Sequence, residues 1–271
     1  MILIECFVYN NRMASLLQEI NANERDKDIR FQEKGHIYYV KGKKGYTSVT
    51  TLVHNAFPKF NADKIIDTMM ASPKWSESKY FGMTKSDIKK QWKVNGQEAA
   101  KMGTAMHLMF EYHYNQIHPE KIETYKNTIE YSYFHNFIKD HPELKAYRTE
   151  WTIFYEEYLI SGSVDMVFYN EDDNTYSIYD WKRVKEIKKT GFGKTCLIPG
   201  LSHIHDANYW HYCFQLNIYK FILESKYDKK IRDLHLVVIH PENESNNYDK
   251  IKMPILPMDD ILKILPSKTN P

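Results

Sequence analysis

Apolar positions along the chain change period near residue 140. Before that point they recur every three to four residues, as on one face of a helix. Met13, Leu16, Leu17 and Ile20 predict a helix within 12–25. A β-hairpin is expected over 29–33 and 36–41, turned around Lys34-Gly35. Hydroxyls within 46–50 offer N-caps for a helix through Ala56 that Pro58 stops. Asn61 or Asp63 would cap the next helix, to about Met70, and another begins near Ser86 with an expected break at Gly96. In 97–115, Ala100, Gly103, Ala105, Met106, Met109 and Phe110 predict a well-buried helix in which small residues permit close packing, with His107 in its middle. One long amphipathic helix is expected over 121–139, through Ile122, Tyr125, Ile129, Tyr133, Phe134 and Phe137.

Beyond residue 140 the period falls to two. Residues 147–155, 162–169 and 175–181 read as strands, with a polar turn at 171–174. A loop rich in Lys, Gly and His spans 183–205, and Asp206 stands where it could cap a helix to about Ser225. Residues 234–239 predict a short apolar strand, followed by a Pro/Asn-rich tail and a last helical turn at 259–265. This order predicts an α/β (α+β) fold, a central mixed β-sheet flanked by helices. Residues 1–75 read as a helix-and-hairpin extension packed on a core of 76–271.

Composition narrows the picture only at its edges. At 271 residues, 42% hydrophobic and 27% charged, the chain can bury a sizeable core. A net charge of +2 neither demands nor excludes nucleic acid, so any basic surface must be local. Three scattered cysteines, Cys6, Cys196 and Cys213, argue against a disulfide framework and against a four-thiolate metal site. A reducing, intracellular compartment is expected: cytoplasm, nucleus or a viral replication site. No run of about 18 apolar residues occurs, and Glu5 stands where a basic start would, so neither a membrane span nor a secretory signal is expected.

Candidate chemistry concentrates in 161–182. Residues i and i+2 of a strand face one way, so Asp180 and Lys182 project together while Tyr179 and Trp181 face the other side. If the strand of Asp165 pairs with 175–182, its carboxylate lies beside Asp180. Two carboxylates at that range repel unless a cation sits between them, and hard oxygen ligands favour Mg²⁺ or Mn²⁺. Such an ion would lower the pKa of a bound water and neutralise a phosphate, with Lys182 orienting the water or stabilising the oxyanion. Taken alone, an Asp-x-Lys at a strand end reads as an exposed ion pair. The run Lys182, Arg183, Lys185, Lys188, Lys189 and Lys194 is a solvated face or a phosphate-binding rim, with Tyr209, Trp210 or Tyr212 to stack on unpaired bases. His203, His205 and His211 lack the companions of a tetrahedral zinc site. Gly191-Phe192-Gly193-Lys194-Thr195 lacks the first glycine of a phosphate loop, Lys188 standing there instead, and reads as a flexible basic loop.

Four short motifs occur in order: Gly103-Thr104-Ala105-Met106-His107, Gly162-Ser163-Val164-Asp165, Asp180-Trp181-Lys182, and Gln215-Leu216-Asn217-Ile218-Tyr219. On these the chain resembles the PD-(D/E)XK nuclease superfamily, in its RecB-like exonuclease branch, over roughly 97–240. Segments 29–75, with His36-Ile37-Tyr38-Tyr39 and Ser48-Val49-Thr50-Thr51, and 200–224 also look like nucleases of large DNA viruses and, more distantly, the mitochondrial genome-maintenance exonuclease. The resemblance implies a restriction-endonuclease-like core in which His107, Asp165, Asp180 and the backbone carbonyl of Trp181 bind metal. It makes Lys182 the catalytic lysine and places Glu150 near the metal. Gln215 and Tyr219 would buttress the site or touch DNA. Branch members with an iron–sulfur cluster need four cysteines, which this chain cannot supply. The implied activity is a Mg²⁺/Mn²⁺-dependent DNA exonuclease on single-stranded or frayed ends, working with replication, repair or recombination proteins. The alternatives are a structure-specific or restriction-like endonuclease and a non-catalytic nuclease-fold DNA-binding module.

Overall fold

The computed structural model of the protein describes residues 15–269, so Met13 of the first expected helix, and Cys6, lie outside the described residues. The helix itself is short: α1 (Leu16–Ile20), capped by Ser15. A 3-10 turn over Glu24–Asp28 follows, closed by a reciprocal cap between Asn23 and Asp26. Asp26 also accepts the Arg148 guanidinium at 2.7 Å and the Trp151 indole N–H at 2.9 Å. This carboxylate fastens the N-terminal region to the sheet.

The expected hairpin is β1 (Ile29–Gln32) and β2 (Ile37–Val40). Then come β3 (Thr47–Ser48) and α2 (Val49–Asn55), the latter capped by Ser48, whose hydroxyl accepts the Thr51 N–H at 3.1 Å. Asn61, not Asp63, caps α3 (Ala62–Met70).

Helix α4 (Lys85–Asn115) runs through Gly96 without a break, for 31 residues. An interior glycine costs only about 0.5–1 kcal/mol relative to alanine, too little to part a helix held at both ends. Its start packs with α3, where Ile66 and Ile88 are fully buried, and its last turns bury Met106, Met109 and Phe110. Between these anchors residues 93–102 are exposed on every side. The expected close packing is therefore absent: Ala100 is exposed, and a Cβ on Gly103 would meet nothing within 4 Å. The single helix expected over 121–139 is two, α5 (Pro119–Tyr125) and α6 (Ile129–Asp140). The Thr128 hydroxyl divides them, donating to the Tyr125 carbonyl at 2.7 Å and accepting the Tyr131 N–H at 3.2 Å.

Strands β4 (Lys145–Tyr155), β5 (Ile160–Asn170) and β6 (Thr175–Lys182) form the expected antiparallel run. Helix α7 (Asn208–Lys226) crosses back so that β7 (Ile231–Val238) lies parallel to β6. Asp206 does not cap α7; its carboxylate lies 2.9 Å from His211 Nε2, and Ala207 occupies the cap position. The stretch read as a tail contains β8 (Asp249–Met253), a charged edge strand on β7, before α8 (Met258–Ile264).

The chain is thus an α+β protein with a six-stranded mixed sheet in the order β3-β5-β6-β7-β8, with β4 also paired to β5. On one face α7 lays Phe214, Ile218 and Ile222 into a core with Ile153, Ile178 and Leu236. On the other, α4 and α6 bring Phe110, Phe134 and Phe137 onto Phe168, Tyr179 and Trp181. The segment read as an extension adds β3 to the sheet and Val49, Val53 and Phe57 to its core. Among the described residues no helix is long and apolar enough to cross a membrane.

One irregularity of the sheet positions the candidate site. Strand β5 pairs with β4 along its length, but its opposite edge is shared: β3 takes Ile160 and Ser161, and β6 takes Met166 to Asn170. Residues 162–165 are left facing a notch in the sheet.

Candidate metal centre

The notch gathers carboxylates because the register aligns them. Glu150 falls between the pairs Thr149↔Met166 and Trp151↔Val164, which places it opposite Asp165. Asp180 follows Tyr179, the partner of Met166, and so stands beside Asp165 on the other side. The three acids occupy one rung across three strands.

Past Tyr179 the ladder between β5 and β6 ends, and the backbone of Trp181 finds side chains instead. Its N–H donates to Asp165 Oδ2 at 3.0 Å, and its carbonyl lies 2.9 Å from His107 Nε2. The other ring nitrogen of His107 lies 3.4 Å from Glu150 Oε1 and 3.7 Å from Asp165 Oδ2. Both ring nitrogens face oxygens, an arrangement that favours the imidazolium. Burial works against that charge, but the Asp165 and Glu150 carboxylates outweigh it and raise the His107 pKa to about 9. Asp165 is raised as well, by burial and by the Asp180 charge, against the pull of His107 and Lys182.

Glu150 reaches the group from a left-handed backbone, φ 44°, which costs a non-glycine residue roughly 1–2 kcal/mol. Its carboxylate also accepts the Ser163 hydroxyl at 3.2 Å. Strain of this kind persists where surrounding structure over-determines it, most often at functional sites. The ligand atoms of His107, Glu150 and Asp165 lie within 4.8 Å of one another and could hold a metal ion. Two carboxylates with an imidazole are a fitting set for a divalent cation.

Asp180 is beside Asp165 but is not one of that group of three. Its Oδ1 accepts the Gln215 amide at 3.0 Å, and its Oδ2 lies 2.5 Å from Lys182 Nζ, itself 3.8 Å from Asp165 Oδ2. Burial opposes the ammonium charge, but Asp180 and Asp165 more than compensate, so the Lys182 pKa is raised and the group stays charged. Gln215 buttresses Asp180, and Tyr219, one turn further along α7, closes the notch over Gly162. A Cβ at Gly162 would come within 2.6 Å of Tyr219 Cε1 and 3.2 Å of its hydroxyl. Gly162→Ala is therefore expected to cost about 1–3 kcal/mol by overpacking, read as a lowered denaturation midpoint; an unchanged midpoint would show that the ring can yield.

The structure divides the basic run after Lys182. Arg183 turns inward to Glu130 at 2.8 Å, Lys185 pairs with Glu242, and Lys188 lies 3.1 Å from Glu186. Lys194 is exposed without an ion pair among the described residues. Trp210 donates its indole N–H to the Lys189 carbonyl at 3.0 Å, while Asn208 bonds the Lys188 N–H and the Glu186 carbonyl, so the start of α7 holds the loop in place. At its tip Phe192 is 95% exposed in a tight turn closed by the Gly193 N–H on the Gly191 carbonyl. Neither periodicity nor motif spacing points to Phe192, or to His54, which lines the cavity beside Lys182.

No family model matches the chain, and no curated protein matches it. A solved structure described as "Crystal structure of SSO0001" is 16% identical over 80% of this chain and 72% of its own, with a TM-score of 0.31.

Proposed function

We propose that the notch is the catalytic centre of a Mg²⁺- or Mn²⁺-dependent DNA exonuclease of the PD-(D/E)XK type, acting on single-stranded or frayed ends during replication, repair or recombination. The observation that carries this reading is the meeting of His107, Glu150 and Asp165 with the Trp181 carbonyl and the Lys182 ammonium at one gap in the sheet. A surface ion pair would need none of these companions.

His107, Glu150, Asp165 and the Trp181 carbonyl would hold the cation. When bound it supplies Lewis-acid chemistry, lowering the pKa of water and neutralising phosphate charge. Lys182, kept cationic by Asp180, is a hydrogen-bond donor to the non-bridging phosphate oxygens and to the attacking water. Asp180 holds that ammonium in place and is itself held by Gln215. Lys194 adds local positive charge for the phosphate backbone, while Arg183, Lys185 and Lys188 are engaged with acids.

End-labelled single- and double-stranded DNA, incubated with and without Mg²⁺ or Mn²⁺, tests the reading directly. Metal-dependent release of labelled nucleotides is expected, and its absence on every substrate would refute the proposal. Metal affinity gives a second test. The proton on His107 must leave before the ring can ligate, so Mn²⁺ affinity is expected to rise with pH up to about 9, by up to about tenfold per unit for each proton displaced. Calorimetry in two buffers of different ionisation enthalpy reads the released protons; flat affinity across that range would sink this account of the site.

A further inference from the structure

Beside the catalytic group lies a cavity of about 310 Å³, bounded by the β1–β2 hairpin, α2, β5 and α7. Its volume falls at the small end of the roughly 300–1,000 Å³ usual for small-molecule sites. That is room of nucleotide size. Asp165 and Lys182 form one wall, and Asp165 is the only carboxylate among the lining residues.

The remaining polar lining is rich in donors. Three imidazoles, His36, His54 and His211, come from three different elements. His36 sits in the hairpin turn with a left-handed backbone, φ 53°, its N–H on the Glu33 carbonyl and its ring 4.8 Å from Phe31. His54, at the end of α2, is exposed and makes no side-chain hydrogen bond among the described residues; its ring lies 5.8 Å from that of His211. His211 is stacked on Phe57 at 4.1 Å with Nε2 on Asp206; burial holds its pKa below the usual imidazole range, so the neutral ring gives its one N–H to that carboxylate and turns Nδ1 outward as an acceptor. Imidazole N–H groups around a small cavity, with an ammonium on one side, suit a phosphate monoester. Tyr212, also in the lining, offers an aromatic ring to a sugar or base.

We propose that this cavity seats the terminal nucleotide of the strand being degraded, with His36 and His54 facing a terminal phosphate and the next phosphodiester lying over Asp165 and Lys182. The assignment rests on the nuclease reading and deepens it: digestion starts where a terminal phosphate can be seated. The chemistry recognised is a phosphate monoester, carried by either a 5′ or a 3′ terminus.

Four single-stranded substrates of one sequence separate the outcomes: 5′-phosphorylated, 3′-phosphorylated, hydroxyl at both ends, and covalently closed. With Mn²⁺, one phosphorylated substrate is expected to be consumed at least about tenfold faster than the hydroxyl-ended one, the worth of a charge-assisted contact. The closed circle is expected to resist. In His36→Gln and His54→Gln, both at exposed positions, that ratio is expected to fall toward one. Equal rates on the three linear substrates, or a ratio intact in both variants, would overturn the proposal while leaving the nuclease reading standing; cleavage of the circle would overturn both the proposal and the exonuclease reading. Titration of the metal-free protein with deoxynucleoside 5′- and 3′-monophosphates keeps the two apart. Binding that weakens about tenfold in the variants supports the cavity assignment even if no substrate is cleaved; no binding to the wild-type protein overturns it.

Discussion

Asp165→Asn is expected to lower metal-dependent cleavage by about a thousandfold or more, since it removes a charged ligand from a centre worth several kcal/mol. The substitution is conservative for the fold. Asparagine keeps an oxygen to accept the Trp181 N–H, now 3.0 Å from Asp165 Oδ2, so melting is expected to change little. Lys182→Ala is expected to cost about 10²–10³-fold, the usual effect of deleting one donor to a developing oxyanion, with metal binding retained. Calorimetry therefore separates the two variants: Asp165→Asn loses Mn²⁺ binding, whereas Lys182→Ala keeps it. Undiminished cleavage in both would remove the notch from consideration as the catalytic centre.

Asp26→Ala carries the largest expected effect on stability. The carboxylate is 12% exposed and faces an Arg148 side chain that is 4% exposed, and it also accepts the Trp151 indole and the Asn23 N–H. Removing one partner of a buried pair strands the other charge, at a cost of roughly 3–5 kcal/mol. Asp26→Asn, which keeps an acceptor for Trp151 but no charge, is expected to fall between the two. Urea denaturation followed by tryptophan fluorescence reads the series. A variant Asp26→Ala as stable as the wild type would show that Arg148 finds solvent or the Asn21 carbonyl sufficient.

The sheet and the grouping of its charged side chains were legible where residue pattern and geometry coincide. Alternation over 175–181 places Asp180 with Lys182 and sends Tyr179 and Trp181 to the opposite core, as the structure shows. Convergence of Asp165 with its neighbours follows from strand pairing, which the turn at 171–174 announces. Glu150 was harder to place, because its role depends on a left-handed backbone that no alternation encodes and on a register set by tertiary pairing. The helices erred in two opposite ways. Gly96 weakens a helix locally, yet packing at both ends of α4 carries the chain through it, whereas Thr128 ends one helix because a single hydroxyl competes with the backbone. Strand β8 escaped notice because its lysines and its place beside Pro and Asn resemble a loop, a common disguise of edge strands. Charge along a sequence does not tell which cations already have partners: Arg183 turns inward to Glu130, while Lys185 and Lys188 pair with acids at the surface.

The notch along 162–165 has a meaning for solubility as well. A run of backbone without a neighbouring strand is ordinarily a template on which another chain can add itself, the first step toward aggregation. Here that run is only four residues long, with β3 and β6 at its two ends and Tyr219 packed against Gly162. An incoming strand would have to displace both neighbours to gain a few hydrogen bonds. The protein keeps an open edge beside its candidate metal site, one too short for another copy of the chain to pair with readily.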